Sequence, residues 1–360
     1  MPVMALITRV KSGFFSDLTH SYTMNQVAII GASGYTGAQL VQLVDQHPSL
    51  TLSHVCVSAS SADANKPLSA IHGQLAHLDY QLSPVDDEML DTLCNDVSMI
   101  FLATPHEVSH DWMPRLMAGT ARVFDLSGAF RLKDEAIFSR FYGFEHRHAT
   151  LLSNAVYGLA EWYAEDISNA SLVAVPGCYP TASLSALKPL INNTLVDTQH
   201  YPVINAVSGV TGAGRKASLT NSFCEVSLSA YGILSHRHTP EISAYLGTPV
   251  IFTPHLGNFK RGILATVTVK LNAGVSHDEV NDAFYQAYAD SPLVRLRQHS
   301  PKLDDVVKTP FVDLYWQYDP ASGYVVVTAA IDNLMKGAAS QAIQCANLTC
   351  GWPQQTGLLL

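Results

Sequence analysis

Cys178 is the residue whose sequence context most favours covalent chemistry. It follows a glycine in Val175-Pro-Gly-Cys178-Tyr-Pro-Thr181 and precedes an apolar stretch that predicts a helix over residues 182–190. Because proline is favoured at a first helical position, Pro180 predicts that the thiol lies at a helix N-terminus. The positive end of the helix dipole lowers a thiol pKa from about 8.5 toward neutrality, which would favour a thiolate nucleophile. A small thiol buried in a turn is the alternative interpretation.

A thiolate nucleophile needs a neighbouring group that transfers protons, and the tripeptide His236-Arg237-His238 is the best candidate. Glu241 follows three residues after the second imidazole and could orient a ring. A second His-Arg-His at residues 146–148 has no comparable neighbours and predicts a solvated turn. Neither copy shows the HExxH spacing or the cysteine partners of a zinc site, so we predict no metal.

Three glycines, Gly31, Gly34 and Gly37, separate a predicted strand at residues 26–30 from a predicted helix. Glycine lets the backbone turn tightly and approach a pyrophosphate, while the helix N-terminus faces the negative charge. The spacing is GxxGxxG rather than GxGxxG, but a strand before and a helix after are the context that a dinucleotide-binding turn requires. An ordinary glycine-rich connection is the alternative interpretation.

The end of the second predicted strand indicates which dinucleotide would bind. An acidic side chain there usually binds the ribose 2′-hydroxyl of NAD. Here the chain reads Val57-Ser-Ala-Ser-Ser61, with no acid before Asp63 and with Lys66 nearby. Because hydroxyl groups and a cation suit a 2′-phosphate, the sequence predicts NADP rather than NAD.

The stretch Ser208-Gly-Val-Thr-Gly-Ala-Gly-Arg215-Lys216 is similar to a Walker A loop but departs from it. Lysine comes one position late, and Ala217 replaces the hydroxyl residue that would bind magnesium. Backbone N–H groups with two cations instead predict a site for an anionic substrate or a cofactor phosphate. Further along, the Asn333 amide could pair with a nicotinamide carboxamide, although helix capping explains it equally well.

Two kinds of domain must position these residues. Short apolar strands alternate with helical stretches through residues 26–126, at the pace expected of parallel βαβ units. The sequence therefore predicts an α/β fold whose first third is a Rossmann-type, doubly wound parallel sheet. Between about residues 205 and 269 Gly and Pro punctuate several strand candidates, which predicts an α+β domain with a separate sheet. One more strand is predicted at residues 324–331 and a terminal helix over residues 333–347.

Composition and net charge exclude some classes of protein. The 360 residues predict two domains, and the 14% charged fraction lies far below the roughly 25% of an average soluble protein, so we expect surface buried between domains or subunits. A 48% hydrophobic content excludes a disordered chain, and a net charge of −9 argues against a general nucleic-acid binder. The cysteines lack CxxC pairs and are expected to be reduced thiols of a cytoplasmic protein.

The sequence shows no membrane or secretion signal. No apolar run approaches the roughly 20 residues of a membrane span. Within residues 1–23, Arg9 and Lys11 interrupt what would be the apolar core of a signal peptide, and no A-x-A cleavage site follows. We expect these residues to be a disordered extension ahead of an alternative start at Met24, and a transit peptide is the alternative interpretation.

The motifs together resemble the N-acetyl-γ-glutamyl-phosphate reductases of arginine biosynthesis, which are relatives of aspartate-semialdehyde dehydrogenase. The resemblance runs from Met24 to Ala346 and rests on GASGYTG, LATPH, DLSGAFRL, VPGCYPT, SGVTGAGR, HRHTPEI, FTPHLGNFKRGI and DNLMKGAA. It implies a Rossmann domain formed by residues 24–175 and 332–360, and an α+β catalytic and oligomerisation domain at residues 176–331. It also implies a homodimer or homotetramer.

The resemblance implies that NADPH reduces an acyl phosphate to a semialdehyde, with release of phosphate, through a thioester on Cys178. It places proton transfer on His236, although either histidine of the tripeptide could serve. Reduction of a related aspartyl or aminoadipyl phosphate, a non-catalytic NADP-binding sensor, and a cysteine hydrolase are the alternatives.

Substrate contacts are expected from Arg131, Ser208, Arg215, Lys216, Arg237, His238 and Glu241. Cofactor contacts are expected from Gly31, Ser33, Gly34, Tyr35, Thr36, Gly37, Ser58, Ser60, Ser61, Thr104, Pro105, Gly209, Asn333 and Lys336.

Overall fold

The computed structural model describes residues 25–359, so the predicted extension at residues 1–23 lies outside the described part of the chain. The first domain contains a parallel sheet with the spatial order β3-β2-β1-β4-β5-β7-β6. The strand order reverses between β1 and β4, and ligands bind at such switch points, beyond the carboxyl ends of the strands. The strands are β1 (Asn25–Ile30), β2 (Leu50–Ser58), β3 (Ser83–Val85), β4 (Met99–Leu102), β5 (Arg122–Asp125), β6 (Val156–Tyr157) and β7 (Leu172–Ala174).

Helices cover both faces of this sheet, because successive residues of a strand point to opposite sides. Val27 and Ile29 pack in one buried cluster with Leu40, whereas Ala28 and Ile30 pack in another with the helices of the opposite face. The doubly wound sheet predicted from the sequence is confirmed. The helices are α1 (Tyr35–Asp45), α2 (Leu68–Ile71), α3 (Asp87–Asp96), α4 (His106–Leu116), α5 (Glu135–Tyr142), α6 (Ala149–Asn154) and α7 (Ala160–Ser168).

The second domain is built on a mixed sheet with the order β12-β13-β14-β11-β8-β10-β9, which confirms the predicted α+β architecture. Its helices are α8 (Cys178–Asn192), α9 (His238–Leu246) and α10 (His277–Tyr288). Its strands are β8 (Val203–Gly209), β9 (Ser229–Ala230), β10 (Ile251–Gly257), β11 (Ile263–Lys270), β12 (Val294–Leu296), β13 (Val312–Asp319) and β14 (Tyr324–Ile331).

The two faces of this second sheet differ. Residues of β11 and β14 that point to one side, such as Val267 and Val325, are fully buried with side chains of α8 and α10. Most of those that point to the other side are uncharged and partly covered or exposed, such as Thr266, Val326 and Thr328, whereas Lys270 at the end of β11 adds a charge on the same side. We call this side of β8, β11, β13 and β14 the open face.

After β14 the chain returns to the first domain. It forms a π-helical turn at Met335–Ala339 and then α11 (Ser340–Thr349). Ile343 of α11 lies in the same buried cluster as Val27 of β1, so the C-terminal helix completes the core of the first domain. Among residues 25–359 the protein has no helix with both the length and the apolar character that a membrane crossing requires.

Candidate active site

The glycine turn lies at the switch point, between β1 and α1. Gly31 has a φ of +92°, and a Cβ there would lie 2.3 Å from the Ala103 carbonyl oxygen, so only glycine fits. At Gly34, the N-cap of α1, a Cβ would meet only the Gly31 carbonyl oxygen at 3.4 Å. The open space beside Gly34, at a helix N-terminus, is therefore a cradle of the size and polarity that suit a cofactor phosphate.

Cys178 is the first residue of α8, with Gly177 as its N-cap. The helix thus begins earlier than predicted, and Pro180 occupies its third position rather than its first. The thiol nevertheless lies at a helix N-terminus, as the sequence indicated. Gly177 must be a glycine because a Cβ there would lie 2.5 Å from Nε2 of His238. That imidazole is therefore packed directly against the residue that precedes the thiol.

The Arg131 guanidinium holds the backbone on either side of this turn. It is almost fully buried, and its Nε donates to the Val175 carbonyl oxygen at 2.8 Å, while Nη2 donates to the Leu126 carbonyl oxygen at 2.7 Å. Nη1 lies 3.3 Å from Oε2 of Glu241. Because all three nitrogens are bonded within the protein, the geometry supports a positioning role for Arg131 rather than the predicted substrate contact.

Glu241, on α9, is the centre of this network. Its Oε1 accepts hydrogen bonds from the Gly177 N–H and the Tyr157 hydroxyl, both at 2.8 Å. The expectation that Glu241 orients an imidazole is wrong, since both carboxylate oxygens are used elsewhere and His238 Nδ1 is buried with no hydrogen-bond partner among the described residues. Glu241 instead fixes the backbone that presents the thiol, and it is fully buried rather than open to substrate.

The thiol of Cys178 is not activated in the way the sequence suggested. Burial raises its pKa to about 11, and this outweighs the lowering by the Tyr179 backbone N–H and by the cations Arg131 and Arg237. The thiol does lie at a helix N-terminus. However, the free energy needed to remove a thiolate from water exceeds the stabilisation that the helix N-terminus provides. In this state the thiol is neutral at physiological pH, so it must lose its proton to a base as it attacks.

Two neutral imidazoles stand near this thiol. Burial, followed by repulsion from Arg237, lowers the pKa of His236 to about 4. Burial and the neighbouring His236 lower the pKa of His238 well below its ordinary value. The two ring centroids are 4.8 Å apart, and Nδ1 of His236 accepts the backbone N–H of His238 at 3.1 Å. Both rings are therefore neutral near neutral pH and keep an unprotonated nitrogen, although the same burial makes each of them a weaker base than a free imidazole.

Two cavities meet at Cys178. One, of about 320 Å³, runs from the glycine turn and is lined by Gly34, Thr36 and Thr104 on the side of the first domain. We call it the cofactor cleft. The other, of about 590 Å³, is lined by Ser208 and by residues of the segment 220–235. We call it the substrate cavity. The residues common to both are Cys178, Gly212, Arg237 and His238.

This arrangement separates the two candidate proton-transfer residues. His238 borders both cavities and lies against Gly177, whereas His236 borders the substrate cavity alone. The sequence placed proton transfer on His236; the geometry favours His238. A larger cavity of about 770 Å³, lined by Lys133 and Tyr163, includes neither the thiol nor the glycine turn.

The predicted substrate cations lie in different places. Arg237 borders both cavities and has no ion-pair partner among the residues that the structure describes. Arg215 borders the cofactor cleft and is paired with Asp63 of the first domain. Lys216 is exposed and lines neither cavity, so the geometry gives no support to its predicted substrate contact.

Asn333 lines the cofactor cleft, but its amide is largely used by the protein. Its Oδ1 accepts the Gly262 N–H at 2.8 Å, and its Nδ2 donates to the Thr211 hydroxyl at 3.0 Å. Asp332 supplies the cap that was considered for Asn333, since its Oδ1 accepts the N–H groups of the next turn. Asn333 therefore joins two loops that border the cleft.

Lys336 does not reach the cleft. Its side chain is fully buried, and Nζ lies 2.6 Å from Oε1 of Glu161 and 2.5 Å from Oε1 of Gln344. The predicted cofactor contact is corrected by this geometry: the ammonium group is neutralised by Glu161 of α7 inside the first domain. Nothing in its local sequence shows that carboxylate, which lies 175 positions away in the chain.

The prediction for the second His-Arg-His, at residues 146–148, is also wrong. The sequence predicted a solvated turn, but His146 is buried, its Nε2 lies 3.0 Å from the Ala129 carbonyl oxygen, and its ring packs edge-on against Phe138. Burial is the main reason that its pKa falls to about 4. These histidines pack the loop that follows β5, and no cluster of metal ligands is found among the described residues.

The serine-rich end of β2 lines neither cavity, so its predicted contact with the cofactor stays a prediction. The Oγ atoms of Ser58 and Ser60 are 3.3 Å apart, and the Ser61 hydroxyl accepts the Asp63 N–H at 3.2 Å. The remaining predicted cofactor residues surround the glycine turn and the end of β4. These are Ser33, whose carbonyl oxygen lies 2.9 Å from Nε2 of His72, and Tyr35, Thr36, Gly37 and Pro105. Gly209, at the end of β8, lines the substrate cavity instead of the cofactor cleft.

Sequence reasoning missed His106, which begins α4 and borders the cofactor cleft. Its Nδ1 accepts the Gly128 N–H at 2.7 Å, which leaves Nε2–H as a donor. Burial, followed by repulsion from Arg237 and Arg131, lowers its pKa to about 3. Its place directly after a strand of a doubly wound sheet was a signal that could have identified it.

Comparisons with known proteins decide the family. Residues 26–170 match the NAD binding domain of semialdehyde dehydrogenases, and residues 178–333 match the semialdehyde dehydrogenase dimerisation domain. The N-acetyl-gamma-glutamyl-phosphate reductase of Alteromonas mediterranea is 66% identical over 94% of this chain and 100% of its own. The chain belongs to the N-acetyl-gamma-glutamyl-phosphate reductase family.

Other members of this family are nearly as similar. The reductase of Pseudoalteromonas atlantica is 61% identical over 93% of this chain and 98% of its own. That of Vibrio parahaemolyticus is 55% identical over 93% of this chain and 100% of its own. Solved structures show the same fold at low identity. Aspartate semialdehyde dehydrogenase II from Vibrio cholerae has a TM-score of 0.68 at 17% identity over 91% of this chain and 99% of its own. The Candida albicans aspartate semialdehyde dehydrogenase, solved with NADP, has a TM-score of 0.66 at 12% identity over 90% of this chain and 98% of its own.

Proposed function

We propose that this protein reduces N-acetyl-L-glutamyl 5-phosphate to N-acetyl-L-glutamate 5-semialdehyde and phosphate, with NADPH as the reductant, in arginine biosynthesis. The observation that carries the proposal is the position of Cys178 at the junction of two cavities, one of which begins at a dinucleotide-type glycine turn. A thiol placed there can hold an acyl group on one side and expose it to a cofactor on the other. The family relationship supplies the substrate class.

The first half of the reaction forms a thioester. The Cys178 sulfur attacks the acyl carbon of the acyl phosphate, the thiol proton passes to His238, and the bond between carbon and phosphate oxygen breaks to release inorganic phosphate. His238 suits this role because it is neutral, packs against Gly177 and lines both cavities together with Cys178. Arg237 is suited to the acyl phosphate anion, because its charge borders both cavities without a carboxylate partner in the described structure.

NADPH, when bound, supplies a hydride to the thioester carbonyl. The residues of this chain then return the sulfur to its starting state: the carbon–sulfur bond breaks, the semialdehyde forms, and the proton held by His238 neutralises the departing thiolate. Because burial raises the pKa of Cys178, the reprotonated thiol is favoured at the end of the cycle. Covalent catalysis thus divides one difficult reduction into two easier steps.

The preference for NADPH rests on the end of β2, where Ser58, Ser60 and Ser61 provide hydroxyl groups. Replacing Ser60 by Asp would place a carboxylate where a 2′-phosphate is expected. We expect Ser60→Asp to raise the KM for NADPH while leaving that for NADH within a factor of a few. An unchanged ratio of the two constants would show that the 2′-phosphate binds elsewhere.

We also propose that the protein works as a homodimer or homotetramer, joined through the open face of the second sheet. That face carries uncharged, partly covered side chains such as Thr266, Thr268 and Val326, and it belongs to the part that matches the dimerisation domain. Thr268→Lys, which places a charge on the open face, should shift the hydrodynamic mass toward the monomer. A cytoplasmic location is proposed because Cys178 must remain a free thiol, which a reducing compartment maintains.

The reaction is tested most directly in the reverse direction. Given N-acetylglutamate semialdehyde, phosphate and NADP, the protein should reduce NADP, and Cys178→Ser should abolish this. Cys224→Ser is the matched control, since that thiol is exposed and lies outside both cavities. Full activity of Cys178→Ser would eliminate the thioester mechanism. Activity with aspartate semialdehyde in place of the N-acetylated substrate would instead show a related reductase.

A further inference from the structure

Arg215, which lines the cofactor cleft, and Asp63 join the two domains through an ion pair. Arg215 follows β8 in the second domain, and its Nη2 is bonded to Oδ2 of Asp63, which belongs to the connection between β2 and α2 in the first domain. The second carboxylate oxygen, Oδ1, lies 3.7 Å from Nζ of Lys66. A largely buried carboxylate is therefore held between two cations that come from different domains.

The same turn carries the hydroxyl groups at the end of β2. The Ser61 N–H donates to the Ser58 carbonyl oxygen at 2.9 Å, and the Ser61 hydroxyl accepts the Asp63 N–H at 3.2 Å. In a doubly wound domain the adenosine ribose of a dinucleotide lies at this end of the second strand. The Arg215–Asp63 pair consequently lies where the 2′ substituent of the ribose would be, rather than in the substrate cavity, whose lining excludes Arg215.

We propose that Arg215 selects the phosphorylated cofactor: it exchanges the Asp63 carboxylate for the 2′-phosphate when NADP(H) binds. This inference rests on the proposed function, which supplies the cofactor, and it assigns a residue of the catalytic domain to cofactor specificity. The sequence motif had left a substrate or a cofactor phosphate open for Arg215, and the resemblance had placed it among the substrate contacts.

The exchange is electrostatically reasonable. A guanidinium binds a phosphate through paired hydrogen bonds, and the phosphate carries more charge than a carboxylate. Asp63 does not lose every partner when Arg215 leaves it, because Lys66 remains 3.7 Å away. A cofactor without the 2′-phosphate offers Arg215 nothing in exchange, so the pair stays intact and adds nothing to binding.

The experiment measures binding by titration calorimetry on the full chain, without substrate or turnover. The probes are 2′,5′-ADP, which carries the 2′-phosphate, and 5′-AMP, which lacks it. Because a hydrogen bond to a charged group contributes about 1.5–3 kcal/mol, Arg215→Gln should weaken 2′,5′-ADP binding about tenfold to a hundredfold and leave 5′-AMP within twofold. Asp63→Asn removes the competing carboxylate and should strengthen 2′,5′-ADP binding severalfold.

Three controls make the result decisive. Lys216→Gln removes the adjacent cation, which lines neither cavity, and should change neither affinity by more than twofold. Arg215→Lys keeps the charge but not the paired geometry, and should lie between Arg215→Gln and the parent protein. Thermal unfolding of each variant confirms that it is folded.

The outcomes separate this inference from the proposed reaction. Equal weakening of both probes by Arg215→Gln would show that the pair only fastens the domains together, and the inference would fail. Weaker 2′,5′-ADP binding in Asp63→Asn would also overturn it, because the carboxylate would then be an aid rather than a competitor. A parent protein that does not favour 2′,5′-ADP over 5′-AMP would contradict it as well. Absence of acyl-phosphate reduction, with the binding pattern as expected, would refute the proposed reaction and leave this assignment standing.

Discussion

Glu241 Oε1 accepts the Gly177 N–H at 2.8 Å, so a carboxylate on α9 holds the residue that immediately precedes the nucleophile. The other carboxylate oxygen lies 3.3 Å from Nη1 of Arg131, and Nε of that arginine donates to the Val175 carbonyl oxygen. The turn that presents Cys178 is thus fixed at two peptide groups by a single buried ion pair. Its position depends on the charge of Glu241 as well as on its shape.

Glu241→Gln should separate these two contributions. Glutamine can still accept the Gly177 N–H, but it leaves Arg131 buried without its ion-pair partner. Breaking a buried ion pair by removing one partner costs about 3–5 kcal/mol, and we expect a loss of that size in the free energy of unfolding from denaturant titrations. Because the turn carrying the nucleophile would relax, kcat should fall more than KM rises.

Tyr157→Phe is the matched control for this prediction. It removes one hydrogen bond to the same carboxylate oxygen, leaves the ion pair in place, and should cost about 1.5–3 kcal/mol. If Glu241→Gln were as stable as the parent protein, Arg131 could not depend on Glu241 for its charge balance, and the positioning role would be lost.

The raised pKa of Cys178 predicts how the thiol reacts in the absence of substrate. Only the thiolate is alkylated, so its rate with iodoacetamide should rise with pH and show no plateau below about pH 10. The measurement should use a Cys224→Ser background, because Cys224 is exposed, with mass spectrometry to assign the modified peptide. A plateau near pH 7 would show that the helix N-terminus outweighs burial, as the sequence alone suggested.

The two histidines of the tripeptide should differ in their effects. His238→Asn removes the imidazole that packs against Gly177, and kcat should fall by about 10²–10⁴, the usual contribution of general acid–base catalysis. His236→Asn alters a wall of the substrate cavity, so KM should rise more than kcat falls. Steady-state kinetics of both variants decide the assignment. The opposite ranking would return proton transfer to His236.

Elements and local motifs were predictable because their causes are local. The alternation of apolar strands and helices gave the doubly wound sheet, and the strand–glycine–helix context gave the turn at Gly31. Cys178 could be placed at a helix start because Gly177, Pro180 and the apolar stretch after them are adjacent in the chain, although Pro180 takes the third helical position rather than the first. In each case the residues that determine the structure lie within a few positions of one another.

Partners that are distant in the sequence could not be predicted. Asp63 and Arg215 are 152 positions apart, and no local pattern links them. The pKa of Cys178 depends on how deeply the assembled domains bury the thiol, which the helix-start motif does not show. Lys336 stands in a segment that suggested cofactor binding, yet a carboxylate from another helix neutralises it. Tertiary packing determines these features. A local sequence pattern contains only one of the two residues in each contact, so it cannot predict the partner.

Lys336 provides the last prediction, because its buried pair with Glu161 has a pH signature. Although burial alone would raise the pKa of Glu161, Lys336 lowers it, so the carboxylate is charged in the folded protein. In Lys336→Met the carboxylate stays buried without its partner, and its folded-state pKa should rise. We expect a loss of about 3–5 kcal/mol in the free energy of unfolding at pH 8 and a smaller loss at pH 5, where protonation of Glu161 relieves the unpaired charge.

The double variant Glu161→Gln/Lys336→Met removes both charges and should recover most of the stability at pH 8. Since Lys336 does not border the cofactor cleft, the affinity of each folded variant for NADP should stay within twofold of the parent value. Guanidinium titrations at the two pH values and calorimetry with NADP measure both quantities. A large loss of NADP affinity in the double variant would restore Lys336 to the cofactor site. A stability loss independent of pH would mean that Glu161 is not the group left unpaired.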